Sequence, residues 1–214
     1  MLRQRLYLVF VLWSLLHASA SLSAHERDRI VDLHNGYRSM VAAGRKKPWP
    51  PAADMMEMSY NITLEELADI HIRNCIFQPG CTGCHIALEN RPGQNLYAQT
   101  GEADWVNAIG SWYHTEPGLT SKGRINGSLE LEPNTLVQMV WSQTYSLGCS
   151  WQNCAKTLGT NIYLCNYYPY GNVLGQKVFI PGEPCSACPK NTCCSTLCAG
   201  TLHKHGSPGL CRML

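Results

Sequence analysis

"IYLCNYYPYGNV" occupies residues 162–173. Its first half is β-branched and aromatic, and Pro169 and Gly171 follow as turn residues. That composition predicts a strand ending in a turn, with the run starting at "GTN" just upstream. Two further runs of the same kind flank it, "LGCSW" (147–151) before it and "QKVFI" (176–180) after it, separated by Gly and Pro.

Before Ser146 the periodicity is helical. From Ala24 to Val41, apolar residues fall at Ile30, Leu33, Tyr37 and Val41, the spacing of one helix face. "PWPPAAD" (48–54) ends that helix, because proline removes a donor and fixes φ. A second helix is predicted from Thr63 to Cys75, with Leu64, Leu67, Ala68, Ile72 and Cys75 as its stripe. Thr63 as N-cap and Glu66 three residues on predict a capping box. A loop rich in Gly, Cys and Pro follows, "QPGCTGC…NRPG". A third helix is predicted over 103–113, with Trp105, Ala108, Ile109 and Trp112 on one face, and a short fourth near 135–141. Helices first and strands later predict an α+β fold rather than alternating βαβ units.

The two ends of the 214-residue chain differ from this middle. "MLRQR", the apolar run "LYLVFVLWSLL" and the small-residue ending "HASA" predict a signal peptide over residues 1–20, cleaved after Ala20. No later segment approaches the roughly 20 apolar residues of a spanning helix, so a secreted, extracellular protein without a transmembrane span is expected. Cleavage removes Arg3 and Arg5 and no acid, which brings the formal charge of +2 to zero. A neutral chain disfavours nucleic acid or an anionic membrane as a partner held by bulk charge, though "GRKK" (44–47) is a local basic patch. Residues 21–180 form the expected main domain. Beyond it, "PGEPCSACPKNTCCSTLC" carries five cysteines in 18 residues. That is too little apolar mass for a core of its own, so 181–214 reads as a disulfide-stapled tail. All 12 cysteines lie beyond residue 20, an even count that predicts a disulfide framework. The sequons at Asn61 ("NIT") and Asn126 ("NGS") predict a glycoprotein.

Four stretches, in order, resemble the CAP superfamily of cysteine-rich secretory proteins, antigen 5 and pathogenesis-related 1 proteins. "LHNGYR" (33–38) resembles its first-helix "HNxxR", and "GQNLYA" (93–98) resembles "GENLY/A". "NTLVQMVW" (134–141) resembles "GHYTQVVW", and "IYLCNYYPYGNV" matches the second signature. The likeness covers about 25–200 and looks closest to cysteine-rich secretory and glioma-pathogenesis-related-like members with a truncated hinge. It implies a three-layer α-β-α sandwich with a small stapled tail. It also implies disulfides Cys75–Cys154 and Cys149–Cys165. In the hinge it suggests Cys185 with Cys193 or Cys194, Cys188 with Cys198, and the remaining hinge cysteine with Cys211. Cys81 and Cys84 are then left to each other or to an unassigned partner.

Many family members hold two His and two Glu that can bind a divalent metal. The resemblance places those ligands at Pro79 (or His85, if the loop carries an insertion), Gln94, Thr115 and Thr135, with Glu116 beside Thr115. Threonine and glutamine are poor zinc ligands, so no metal, cofactor or tetrad chemistry is expected. The three polar residues either line a hydrogen-bonded pocket or satisfy one another. No nucleophile elbow, "HExxH" or papain-like "CGSCW" occurs, and no catalytic residue is assigned. His34 and His71 fall near buried stripes and read as core histidines, and "HKH" (203–205) as a solvated tail.

The resulting expectation is a secreted, non-enzymatic binding protein. Some relatives bind sterols through the loop after the third helix, and "WYHTEPGLTS" resembles that loop, with Trp112, Tyr113, Pro117, Gly118 and Leu119 as candidate lipid contacts. A fatty acid is a second candidate ligand. The alternatives are recognition of an extracellular protein or receptor, in an immunomodulatory role, and a protease or protease inhibitor.

Overall fold

The computed structural model describes residues 22–80, 91–116, 119–125, 128–131, 134–173, 175–195 and 207–214. The expected signal segment, Cys81, Cys84, His85, Pro117, Gly118, Asn126, Cys198, His203 and His205 lie outside the described residues.

Helix α1 is Ala24–Ala42. Ser23 caps it through a capping box with Glu26, a signal that the sequence reading passed over. Strand β1 is Ser59–Tyr60 and α2 is Ile62–Ile72. The α2 N-cap is Asn61, whose side chain accepts from Leu64 N at 3.1 Å. The predicted Thr63 cap therefore gives way to Asn61, which has an extended backbone that aims its short amide at the first turn. Strand β2 (Gly93–Gln99) and α3 (Trp105–His114) follow. Strands β3 (Leu119–Ile125) and β4 (Ser128–Leu131) form an antiparallel hairpin. Then come α4 (Thr135–Met139), β5 (Ser146–Cys154), the single turn α5 (Ala155–Leu158) and β6 (Thr160–Tyr168). The tail supplies β7 (Thr192–Cys194) and β8 (Cys211–Met213).

The central sheet has the order β1-β5-β6-β2, with β1 parallel to β5 and the other pairs antiparallel. Strand β6, the core of the opening motif, is buried from Asn161 to Tyr167. Burial on both faces requires a layer on each side. Ile162 and Leu164 pack with Ala68 and Ile72 of α2. Tyr163, Cys165 and Tyr167 enter the larger core with Ile30, Ile109, Trp112 and Leu136. The result is an α-β-α sandwich, with α2 on one face and α1, α3 and α4 on the other. Cys149 and Cys165 sit opposite each other in the β5–β6 register and are bonded, and Cys75–Cys154 ties the end of α2 to β5. Both match the expected pairs.

"QKVFI" is not a strand. Val178 and Phe179 are both buried, and Phe179 lies 6.0 Å from the Trp49 ring. The backbone there bonds Ser142 N (2.8 Å) and the Asp54 carboxylate (2.8 Å) instead of a ladder. The tail is not independent either. Leu210 and Cys211 are fully buried against the main core, and Cys211 exchanges backbone hydrogen bonds with Met55 and Glu57 at 2.8 Å each. In the hinge, Cys185 bonds Cys194, one of its two expected partners, but Cys188 bonds Cys211 rather than Cys198. The β7–β8 register sets Cys194 opposite Cys211, and the 185–188 turn takes one sulfur from each strand. Cys193 is also disulfide-bonded.

Candidate functional site

Of the residues at the expected tetrad positions, Gln94, Thr115 and Thr135 are hydrogen-bonded. Thr115 follows the last residue of α3, and Thr135 opens α4 behind its cap, Asn134. The two Oγ1 atoms are 2.8 Å apart. Each hydroxyl also has a carbonyl acceptor on α3, Ser111 O for Thr115 at 3.1 Å and Trp112 O for Thr135 at 3.4 Å. Gln94 faces the other layer. Its Nε2 donates to Asn166 Oδ1 at 2.9 Å and its Oε1 accepts from Gly80 N at 2.8 Å, while Asn166 in turn donates to Leu64 O of α2. Pro79 and Glu116 are exposed. Two hydroxyls and a carboxamide on opposite faces of a sheet offer neither imidazole nor thiolate, and they do not fit zinc. They satisfy one another and their neighbours.

The candidate lipid stretch divides in two. Trp112 is 1% exposed and donates Nε1–H to Leu96 O, and Tyr113 is 3% exposed and stacks on Tyr37 with centroids 4.1 Å apart. Both are core anchors. Leu119 begins the β3–β4 hairpin. Of the basic patch, Lys46 lies 5.0 Å over the Tyr113 ring while Arg45 and Lys47 are exposed. Asn61 is exposed, and its Oδ1 is used by the helix cap.

The motif residues converge on two buried hydrogen-bond networks. His34 Nδ1 donates to Ile30 O at 2.7 Å, which leaves Nε2 to accept from the Tyr167 hydroxyl at 2.9 Å. Asn95 Nδ2 donates to Thr135 O (2.9 Å) and to Tyr167 (3.3 Å). This line runs from α1 through β6 and β2 to α4. Burial pulls His34 down to about 4 and pushes Tyr167 up. Arg38 is fully buried and donates six hydrogen bonds, to the carbonyls of Met56, Met139, Trp141, Ser142 and Thr144. Burial pulls it to about 9, against the attraction of Asp54. Asn35 bonds both the N–H and the carbonyl of Met58 (2.8 and 2.9 Å), as a neighbouring strand would.

His34 has a pH consequence. An unfolded histidine titrates near 6.5, so the unfolded chain binds the extra proton first as pH falls. The stability is therefore complete above pH 6.5 and is lost as pH drops from there to about 4. The expected loss is about 3 kcal/mol, from one pKa unit being worth about 1.4 kcal/mol. Denaturant melts at pH 7 and 4.5 check this, with His34→Gln flattening the difference.

Sequence reasoning missed an ion pair between α1 and α2 and a groove beside α1. Arg27 grips Glu65 with two bonds of 2.8 Å, and the Tyr60 hydroxyl donates to the same carboxylate at 2.6 Å. Helix spacing carries no signal for contacts 38 residues apart. The groove, about 830 Å3, runs between α1 (His25, Asp28, Asp32), Tyr60 and Tyr145, and the tail residues Arg212 and Met213. Arg212 is held by Glu57 at 2.6 and 2.8 Å. His71 is a core histidine that donates Nε2–H to Gln78 O at 2.7 Å.

Comparison with known proteins agrees with this architecture. Residues 31–167 match the CAP family, described as the cysteine-rich secretory protein family. A Trittame loki protein, "CRISP/Allergen/PR-1", is 31% identical over 90% of this chain and 49% of its own length. Mouse "Peptidase inhibitor 16" is 33% identical over 84% of this chain and 35% of its own. The chain thus spans about half or less of the length of these two relatives. The crystal structure titled "NaASP2 with Zn2+" has a TM-score of 0.62 and 26% identity, covering 78% of this chain and 92% of that one.

Proposed function

The chain belongs to the CAP family, and from that premise we propose that it is a secreted binding protein that holds its ligand without transforming it. The observation that carries this reading is the Thr115–Thr135 hydroxyl pair, 2.8 Å apart. It stands where the resemblance places metal-binding side chains. With Gln94 turned to the other layer, the three described side chains at these positions carry no charge to polarise a bond or generate hydroxide. No helix among the described residues is long and apolar enough to cross a membrane, which fits an extracellular location.

The ligand we favour is a sterol or other lipid, taken up by the stretch that follows α3. Buried Trp112 and Tyr113 give that stretch a rigid root, and covering an apolar ligand contributes ~25 cal/mol per Å2. The test is a titration of the secreted protein with labelled cholesterol and palmitate, beside Leu119→Asp. Saturable binding that falls at least tenfold in the variant is expected. Absence of binding to either lipid sinks the lipid reading. The groove between α1 and β8 favours a second reading, recognition of an extracellular protein, in which case the lipid arms are blank and a cell-surface partner saturates.

A further inference from the structure

Cys185 and Cys188 form a Cys-x-x-Cys pair, yet each is locked to a different cysteine, Cys194 and Cys211. The Sγ atoms of Cys185, Cys188 and Cys211 all lie within 4.8 Å of one another. Two disulfides thus touch at the mouth of one short turn. Their surroundings differ. Cys185, Cys188 and Cys194 are partly exposed, whereas Cys211 is fully buried beside Leu210. An external thiol therefore reaches the first disulfide at either end, and the second only through Cys188.

We propose that this turn is a site of thiol–disulfide exchange with an extracellular dithiol, in which Cys185 relays reduction from the Cys185–Cys194 bond to the Cys188–Cys211 bond. In the first step a thiolate of the dithiol attacks Cys194 Sγ, forming a mixed disulfide and expelling Cys185 as thiolate. The second thiol of the reductant closes its own disulfide and releases Cys194, so two electrons pass from the dithiol to the protein. In the second step the Cys185 thiolate attacks Cys188 Sγ. A Cys185–Cys188 bond forms, the Cys188–Cys211 bond breaks and Cys211 leaves as thiolate, with no net redox change. The x-x spacing favours this product, as the same spacing does in disulfide oxidoreductases.

The exchange has a structural consequence. The Cys188–Cys211 bond holds β8 against the 185–188 turn. The neighbouring Arg212 and Met213 form one wall of the α1 groove. Opening the bond leaves that wall held by non-covalent contacts alone: the Glu57–Arg212 pair, the Cys211 backbone bonds to Met55 and Glu57, the β7 ladder and the buried Leu210.

The test treats the wild-type chain with equimolar dithiothreitol, quenches with acid, alkylates and maps the label by fragmentation mass spectrometry. Label on Cys194 and Cys211, with a Cys185–Cys188 link, is the expected result. Label on Cys185 and Cys194 with Cys188–Cys211 intact overturns the relay. Cys194→Ser tests the second step without any reductant. There the free thiol should appear mostly on Cys211 and Cys185 should be linked to Cys188. A free thiol confined to Cys185, or Cys185 linked to Cys193, refutes the proposal.

Discussion

Arg38→Leu is expected to prevent the chain from folding. The guanidinium is fully buried, and its six hydrogen bonds tie α1 to the carbonyls at Met56, Met139, Trp141, Ser142 and Thr144. Ser142 O keeps the Met56 N–H and Trp141 O keeps the Thr144 N–H, so leucine takes away the side-chain donor on which the Met56, Met139 and Thr144 carbonyls rely. Each unsatisfied buried group costs about 1–3 kcal/mol. Over those three carbonyls the sum is about 3–9 kcal/mol, comparable with about 5 kcal/mol, the lower end of the stability of a whole domain. Secretion should collapse, and any recovered protein should lack a cooperative melt. Arg38→Lys keeps the charge and at most three donors, so it should fold with a loss on the order of 3 kcal/mol. A cooperative Arg38→Leu melt within about 1 kcal/mol of wild type would falsify the carbonyl-cage account.

The second large effect is expected at Gly148, in the middle of β5. A Cβ there would lie 2.3 Å from Glu65 N, 2.4 Å from Asn61 O and 2.7 Å from Leu64 C. All three are backbone atoms of the first turn of α2, and no rotamer change relieves them. The helix cannot retreat, because Asn61 N bonds Leu147 O at 2.7 Å and Asn166 holds Leu64 O at 2.9 Å. Cys75–Cys154 fixes its other end. Gly148→Ala should therefore cost about 3 kcal/mol or more, read as a lowered denaturant midpoint. Gly36→Ala is the matched control. Its Cβ meets nothing within 4 Å on the exposed face of α1, so the higher helix propensity of alanine should stabilise by up to about 1 kcal/mol.

Both residues show how far pattern reading carries. Arg38 stands in a stretch that marked the family, and its periodicity placed it on a helix. Nothing in that spacing announces carbonyl partners about 100 residues away. Gly148 reads as one residue of the strand run 147–151, and only the approach of α2 makes a glycine there a requirement. The strand error at 176–180 has the same origin. Val178 and Phe179 look like a ladder segment, but the Val178 carbonyl is taken by Ser142 N and the Ile180 N–H by the Asp54 carboxylate, from other parts of the chain. Asn61 displaced Thr63 as the cap because capping depends on the backbone angle before the helix, which composition does not report.

The sequence by itself determined the helical first half, the strand at 162–168, the disulfides Cys75–Cys154 and Cys149–Cys165 through resemblance, and the uncharged side chains of Gln94, Thr115 and Thr135. These rest on local periodicity and on residue identity, which the chain carries without folding. The tertiary structure alone decided that Thr115 and Thr135 bond each other while Gln94 turns away. It also decided that Trp112 and Tyr113 point inward and that Cys188 takes Cys211. Each of these outcomes is a choice among partners of equal chemistry, and only the packing of distant segments brings one partner within reach.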